Sequence, residues 1–147
     1  MDLHIKPFEE LSLTELYDIL RIRQEVFFLE QKVDCEDLDG IDSLCVHMWE
    51  EQSGEITGYL RIIPAGLVYE QASIGRVLTK AAYRHRGISR RMMKAAIEYI
   101  SSQWGTGQIT ISAQSYLKDY YSEFGFVVVS GEYPDGGIPH YKMRLGI

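Results

Sequence analysis

Long apolar runs are missing from this sequence, and the residues that staple small secreted folds are scarce. No stretch approaches the roughly 20 apolar residues of a membrane span, and the N-terminal "MDLHIKPFEE" lacks a basic start followed by an apolar run. A cytoplasmic location and no membrane partner are expected. Only two cysteines, Cys35 and Cys45, occur in 147 residues. They flank an acidic turn without paired-cysteine metal spacing, so two reduced, unrelated thiols and no bound metal are expected. With four prolines and no repeat, low-complexity tract or Pro/Ser-rich linker, no internal boundary is visible, and residues 1–147 read as one domain. Positive charge is also short: 15 Lys and Arg against 21 Asp and Glu give a formal net charge of -6. Nonspecific nucleic-acid binding usually needs a net basic surface, so no nucleic-acid partner is expected.

What is present is a mixture of element patterns. "SLTELYDILRIRQEVFFLEQ" has near-helical apolar spacing behind Ser12, with Glu15 three residues later as in a capping box. "CVHMWE" and "ITGYLRII" are rich in β-formers and are separated by "EQSGE", a hairpin signal; "ASIGRVLT" supplies a further strand. After Gly87, the residues Ile88, Met92, Ala96, Ile97 and Ile100 recur at helical intervals up to "SQWGTG", and "QITIS" returns to strand. Ser115 is a candidate cap for a short helix whose Leu117, Tyr120, Tyr121 and Phe124 share one face. "FVVVS" and "HYKMRL" follow as strands across "GEYPDGGIP". Hairpins combined with a strand-helix-strand unit predict a mixed α/β (α+β) fold with helices on the faces of a sheet.

The scarce positive charge is concentrated. In "YRHRGISRR", Arg84, Arg86, Arg90 and Arg91 surround Gly87, and Arg84, Gly87 and Ser89 are spaced R-x-x-G-x-S at a strand-to-helix turn. A helix start carries unpaired N–H groups and the positive dipole end, a glycine there lets an anion approach the backbone, and arginines add charge-assisted bonds. The same pattern is compatible with an ordinary helix start whose arginines are solvated. A second motif, "SYLKDYYSEFGF" (115–126), carries Tyr121, Gly125 and Phe126.

With both motifs, the chain resembles the GCN5-related N-acetyltransferases (GNAT superfamily), whose phosphate turn reads R/Q-x-x-G-x-G/A and whose later helix ends Tyr-x-x-x-Gly-Phe. The blocks "LRIRQEVFFLEQ", "EDLDGID", "IGRV", "SAQSYLKDYYSEFGF" and "GIPHYKM" look like the ElaA-like branch, and the resemblance covers nearly the whole chain. Two positions depart from the family pattern: Ser89 replaces the last small residue of the turn, and Gln114 stands where many members have asparagine.

The resemblance implies a mostly antiparallel central sheet of about six to seven strands flanked by about four helices. It also implies acetyl-CoA as cosubstrate, with its pyrophosphate on the backbone of Arg84, His85, Arg86, Gly87, Ile88 and Ser89. Its pantetheine arm would run beside Val77, Leu78 and Thr79, and Gln114 would be a further contact. Direct acetyl transfer to a primary amine, on a small molecule or a peptide, needs an acid for the thiolate, a donor for the thioester carbonyl and a route for the amine proton. By resemblance Tyr121 is the acid and a backbone N–H near Val77 and Leu78 polarises the carbonyl; a buried core tyrosine is the plain alternative. The base stays open among His140, His47, Glu25 and Glu30, with water as an alternative relay, and His140 is carried beside Tyr121 as a candidate catalytic residue.

"DCEDLDGID" (34–42) offers a tempting calcium loop, but placing Gly40 sixth puts Cys35 first and Val46 twelfth, where acids are needed. Asp37, Asp39 and Asp42 are instead expected to cap or line a loop near the acceptor end, favouring a cationic amine. The competing functions are a noncatalytic CoA-binding module and an RNA-binding domain; the second lacks an aromatic stacking platform in a basic setting. A monomer or a homodimer is compatible with the sequence.

Overall fold

The computed structural model describes residues 2–33 and 35–146; Asp34, the first residue of the acidic block, lies outside them. The chain opens with a strand, β1 (Asp2–Pro7), paired antiparallel with β2 (Val46–Gln52). The sequence pattern did not reveal β1. It is an edge strand with no fully buried residue, so the alternation that advertises a strand is weak there.

β2 turns at Ser53 and Gly54, both at positive φ (54° and 76°), into β3 (Glu55–Ile63). Two left-handed residues in a two-residue loop match the twist of the flanking strands, as the hairpin reading of "EQSGE" requires. β3 pairs with β4 (Ser73–Thr79), completing an antiparallel sheet in the order β1-β2-β3-β4. A second sheet is built on β8 (Ile138–Leu145), which pairs antiparallel with β5 (Ile109–Gln114) and with the short strands β6 (Val127–Val128) and β7 (Tyr133–Asp135). β7 lies inside the segment expected to be a simple connection. Beside these strands stand few helices, the mixed α/β arrangement the sequence pattern predicts.

Helix α1 (Leu13–Arg23) starts on the capping box: the Glu15 N–H donates to Ser12 Oγ at 3.0 Å and the Ser12 N–H donates to the Glu15 carboxylate at 2.9 Å. It continues as a π-helical segment, Gln24–Glu30. Ile19, Ile22 and Val26 from this unit pack on Trp49, Tyr59 and Leu78 on one face of the first sheet. The opposite face receives α2 (Ile88–Trp104), whose Met92, Met93, Ala96 and Ile100 join Met48, Leu60, Ile62 and Ile74. The contact is close because Gly58 has no side chain: a Cβ there would stand 2.7 Å from both Ile88 and Met92.

Among the described residues, backbone pairing joins the two sheets at one end only. Ala72 bridges Ile109 in parallel sense, and the Thr110 N–H donates to the Ala72 carbonyl at 2.9 Å. Beyond that point no ladder joins β4 to β5 among the described residues. The pairing of β3 with β4 steps from Tyr59↔Leu78 to Arg61↔Gly75, so β4 carries one extra residue, and Arg76 within it sits at φ 53°. This is a β-bulge, which bends its strand where β4 leaves β5.

Past β5, a 3-10 turn (Ser115–Leu117) leads into α3 (Lys118–Ser122). Ser115 does not cap it. Gln114 holds the cap position of the turn without a side-chain bond, and Ser115 Oγ is buried with no hydrogen-bond partner among the described residues. The chain enters this helix through a tight turn in which Ser115 is already the first coiled residue, so its hydroxyl is not at the cap.

Candidate active site

A cavity of about 910 Å³ opens beside the divergence of β4 and β5. Val77 reaches it from the bulged strand, Gln114 from the end of β5, Tyr121 from α3 and His140 from β8. Four positions spread over a sequence separation of 63, from 77 to 140, thus face one space only because the sheets splay. The walls come from α1 and the π-helical segment on one side and from the second sheet on the other. One wall is closed by the turn after β7: a Cβ on Gly136 would lie 2.8 Å from Val33.

Tyr121 is buried by Phe126 and Tyr120, which meet its ring edge-on. Its hydroxyl has no hydrogen-bond partner among the described residues, and burial, with the neighbouring Tyr120 and Tyr116, pushes its pKa above the usual phenol range. It is therefore a protonated donor throughout the neutral range, with its bond unspent.

His140 lies at the same cavity. Its Nδ1 is 2.7 Å from the Ile138 carbonyl. A carbonyl only accepts, so Nδ1 carries the proton and the neutral ring keeps a lone pair on Nε2. The other base candidates are elsewhere. His47 is fully buried on β2, with Nδ1 2.7 Å from the Tyr59 hydroxyl and Nε2 2.8 Å from the Asp42 carbonyl, and burial holds its pKa below the usual histidine value. Glu30 pairs with Arg84 at 2.5 Å, and neither it nor Glu25 lines the cavity.

The glycine turn stands outside the cavity, at the start of α2. Gly87 is the N-cap at φ 76° with no side-chain acceptor on the first amides, and His85 also has positive φ (64°). The first amides of a 17-residue helix therefore point outward without a side-chain cap, a cradle suited to phosphate oxygens. The surrounding arginines are more committed than their crowding in the sequence suggested. Arg84 pairs with Glu30 and donates from Nε to the Thr79 carbonyl at 3.1 Å; Arg90 pairs with Glu123 at 3.4 Å; Arg91 pairs with Glu50 at 3.1 Å. Arg86 lies over the Tyr83 ring.

Asp37 and Asp39 of the acidic loop line the cavity. Asp37, Asp39 and Asp42 do not offer unpaired charge to an acceptor, because each faces a guanidinium. Arg23, wholly buried, pairs with Asp37 at 3.0 Å and Asp42 at 2.8 Å; Arg61 pairs with Asp39 at 2.5 Å and Asp42 at 2.9 Å; Arg76 pairs with Asp37 at 2.9 Å. Hydrogen bonds from Arg61 hold the Asp39 carboxyl far below the usual carboxylate range. Burial works against ionisation of Asp42, but the bonds from Arg23 and Arg61 outweigh it and lower its pKa as well. Spacing along the chain could not reveal these pairs, since Arg61 and Asp39 are 22 residues apart. The aromatic wall residues Tyr17, Phe28 and Tyr69 were likewise not singled out from the sequence; burial pushes the Tyr69 phenol up to about 12.

Comparison with known proteins gives this geometry its family. Residues 28–147 match the domain described as "Acetyltransferase (GNAT) domain", and the chain belongs to the GCN5-related N-acetyltransferases. Its relatives place it in the ElaA-like branch: it is 33% identical over 144 residues to protein ElaA of Escherichia coli (strain K12), covering 97% of this chain and 92% of ElaA. The crystal structure of Escherichia coli ElaA superposes with a TM-score of 0.90 at 30% identity and 97% coverage of both chains. A crystal structure of an acyl-CoA N-acyltransferase from Pseudomonas aeruginosa superposes with a TM-score of 0.93 at 34% identity, again covering 97% of each chain. The protein is an acyltransferase that takes its acyl group from a CoA thioester. No helix among the described residues is long and apolar enough to cross a membrane.

Proposed function

We propose that this protein is an acetyl-CoA-dependent N-acetyltransferase acting on a primary amine by direct transfer in a ternary complex, with residues 1–147 as one catalytic domain. The observation that carries the reading is the convergence of the bulged strand at Val77 and the unbonded hydroxyl of Tyr121 on one cavity beside the splayed β4 and β5. The uncapped start of α2, from Arg84 through Ser89, fits a pyrophosphate. The unpaired edge of β4 at Val77, Leu78 and Thr79 fits a chain of amides that needs main-chain partners, and Gln114 fits a side-chain contact opposite. When bound, acetyl-CoA supplies an acetyl group activated as a thioester.

The residues divide the remaining work. A backbone N–H at the bulge, near Val77 and Leu78, donates to the carbonyl oxygen as negative charge develops there. Tyr121 donates its proton to the departing sulfur. The amine nitrogen forms its C–N bond as the C–S bond breaks, and the amine's proton passes to Nε2 of His140, directly or through water.

The test is release of free thiol from acetyl-CoA over a panel of amines and peptides, with calorimetry of acetyl-CoA binding run alongside. Binding without thiol release over the whole panel would support the noncatalytic alternative, and absence of binding would remove the reading altogether. Gly87→Val should weaken acetyl-CoA binding by about tenfold or more, ~1.4 kcal/mol, while the protein still folds. Its left-handed φ of 76° strains any side chain, but a Cβ there meets nothing closer than the Arg91 guanidinium at 3.5 Å.

A further inference from the structure

Four strongly exposed apolar side chains gather on the outer part of the cavity: Tyr17 is 69% exposed, Phe28 61%, Leu38 57% and Val68 51%. Single exposed apolar residues need no explanation, but a group of them around one opening marks a surface that something apolar covers. They come from separate elements, Tyr17 from α1, Phe28 from the π-helical segment, and Leu38 and Val68 from the loops before β2 and β4.

The charge at this wall points the same way. Asp37 and Asp39, the carboxylates closest to the role of an amine-attracting patch, are each paired with guanidinium groups. Of the four acids lining the cavity, Glu36 and Asp135 alone have no ion pair among the described residues, so a polycation would find two carboxylates there against a wider apolar rim. Ser112, whose hydroxyl is 2.5 Å from the Tyr133 hydroxyl, also lines the cavity, as do Tyr121 and His140.

We infer that the acceptor is a primary amine on a compact apolar body, an arylalkylamine, with its ring against the Tyr17 and Phe28 side of the opening and its amine directed inward toward Tyr121 and His140. This inference rests on the acetyltransferase reading and deepens it. The chemistry supports the pairing of apolar walls with an amine substrate. An amine attacks only when unprotonated, and the apolar side chains of the rim, with Asp37 and Asp39 already paired to arginines, disfavour the ammonium form, lowering the pKa of a bound amine from its usual value near 10. The nitrogen's remaining extra proton leaves to His140 or water as the C–N bond forms and the C–S bond breaks.

The experiment compares thiol release from acetyl-CoA with phenethylamine, tryptamine, spermidine and a lysine-containing peptide as acceptors, with calorimetry of acetyl-CoA binding on the same protein. The expected result is a kcat/KM for the aryl amines at least about tenfold above that for spermidine and the peptide, ~1.4 kcal/mol. Phe28→Ala, at an exposed position, should raise KM for phenethylamine by about fivefold to tenfold, the range of one aromatic contact, with Phe28→Tyr restoring it and the Kd for acetyl-CoA unchanged in both. Equal or better turnover of spermidine or the peptide overturns the inference, and so does failure of both aryl amines with a protein that binds acetyl-CoA; either result leaves the cofactor reading intact. A protein that gives no heat with acetyl-CoA overturns both.

Discussion

Ser89 Oγ and the Tyr120 hydroxyl lie 2.7 Å apart, joining the first turn of α2 to α3 across 31 residues of sequence. Ser89 is the position at which the turn departs from the family pattern, and its hydroxyl is already engaged by the protein. The bond also sets the neighbour of Tyr121 in place, since Tyr120 meets the Tyr121 ring edge-on. Ser89→Ala should therefore act on stability first, by about 1 kcal/mol, the ordinary worth of one such bond. Urea unfolding would read that loss, with the acetyl-CoA Kd moving by less than about threefold, ~0.7 kcal/mol.

Gly58 carries a different constraint on the same helix. With Ile88 and Met92 2.7 Å from the place a Cβ would occupy, Gly58→Val must push the start of α2 off β3. The expected loss is about 1–3 kcal/mol from overpacking, read as a lower unfolding midpoint. Unlike Ser89→Ala, this variant should also weaken acetyl-CoA binding, because the displaced residues include the first amides of the helix.

For Tyr121, removal of the hydroxyl alone is the informative change. Tyr121→Phe keeps the ring against Phe126 and Tyr120 and should lower kcat by about a hundredfold or more, the usual worth of a positioned acid, while acetyl-CoA binds as before. Because burial raises the Tyr121 pKa above the ordinary value near 10, the acid form persists as pH rises. No alkaline loss of activity assignable to this residue is expected below about pH 10. Unchanged turnover in the Phe variant on a genuine acceptor would reject the role.

The Asp–Arg cluster governs behaviour in acid. Asp39 and Asp42 both have folded-state pKa values below the unfolded value near 4. Groups depressed in this way contribute stability that is fully present above pH 4 and is lost as pH falls through their folded values. Stability should hold steady from about pH 7 to 5 on their account and fall below about pH 4, measured by urea midpoints at stepped pH. Asp42→Ala leaves Arg23 and Arg61 both short of a partner in the interior. It should cost about 3 kcal/mol at neutral pH and flatten the acid fall.

Much of the architecture was readable because it is written in local pattern. Ser12 with Glu15 specifies a helix start, Ser53-Gly54 a two-residue turn, and the repeat from Ile88 to Ile100 a helix with one buried face. Strand β1 was not readable because an edge strand buries little, and Ser115 was misread because a hydroxyl before a helical face looks the same whether it caps the helix or sits within its first turn.

The amino-acid order by itself determined most of the elements, the spacing of Arg84 with Gly87 and of Tyr121 with Gly125 and Phe126 that marks the family, and the concentration of arginine in an acidic chain. It did not determine which charges meet. Arg61 and Asp39, or Arg84 and Glu30, become partners only when the sheets and α1 are packed, because an ion pair depends on distance in space and low solvent access, neither of which is local in the chain. Tertiary structure alone therefore decided that Asp37, Asp39 and Asp42 are paired with arginines, that His47 is sealed in the core while His140 faces the cavity, and that Tyr17, Phe28, Leu38 and Val68 surround one opening.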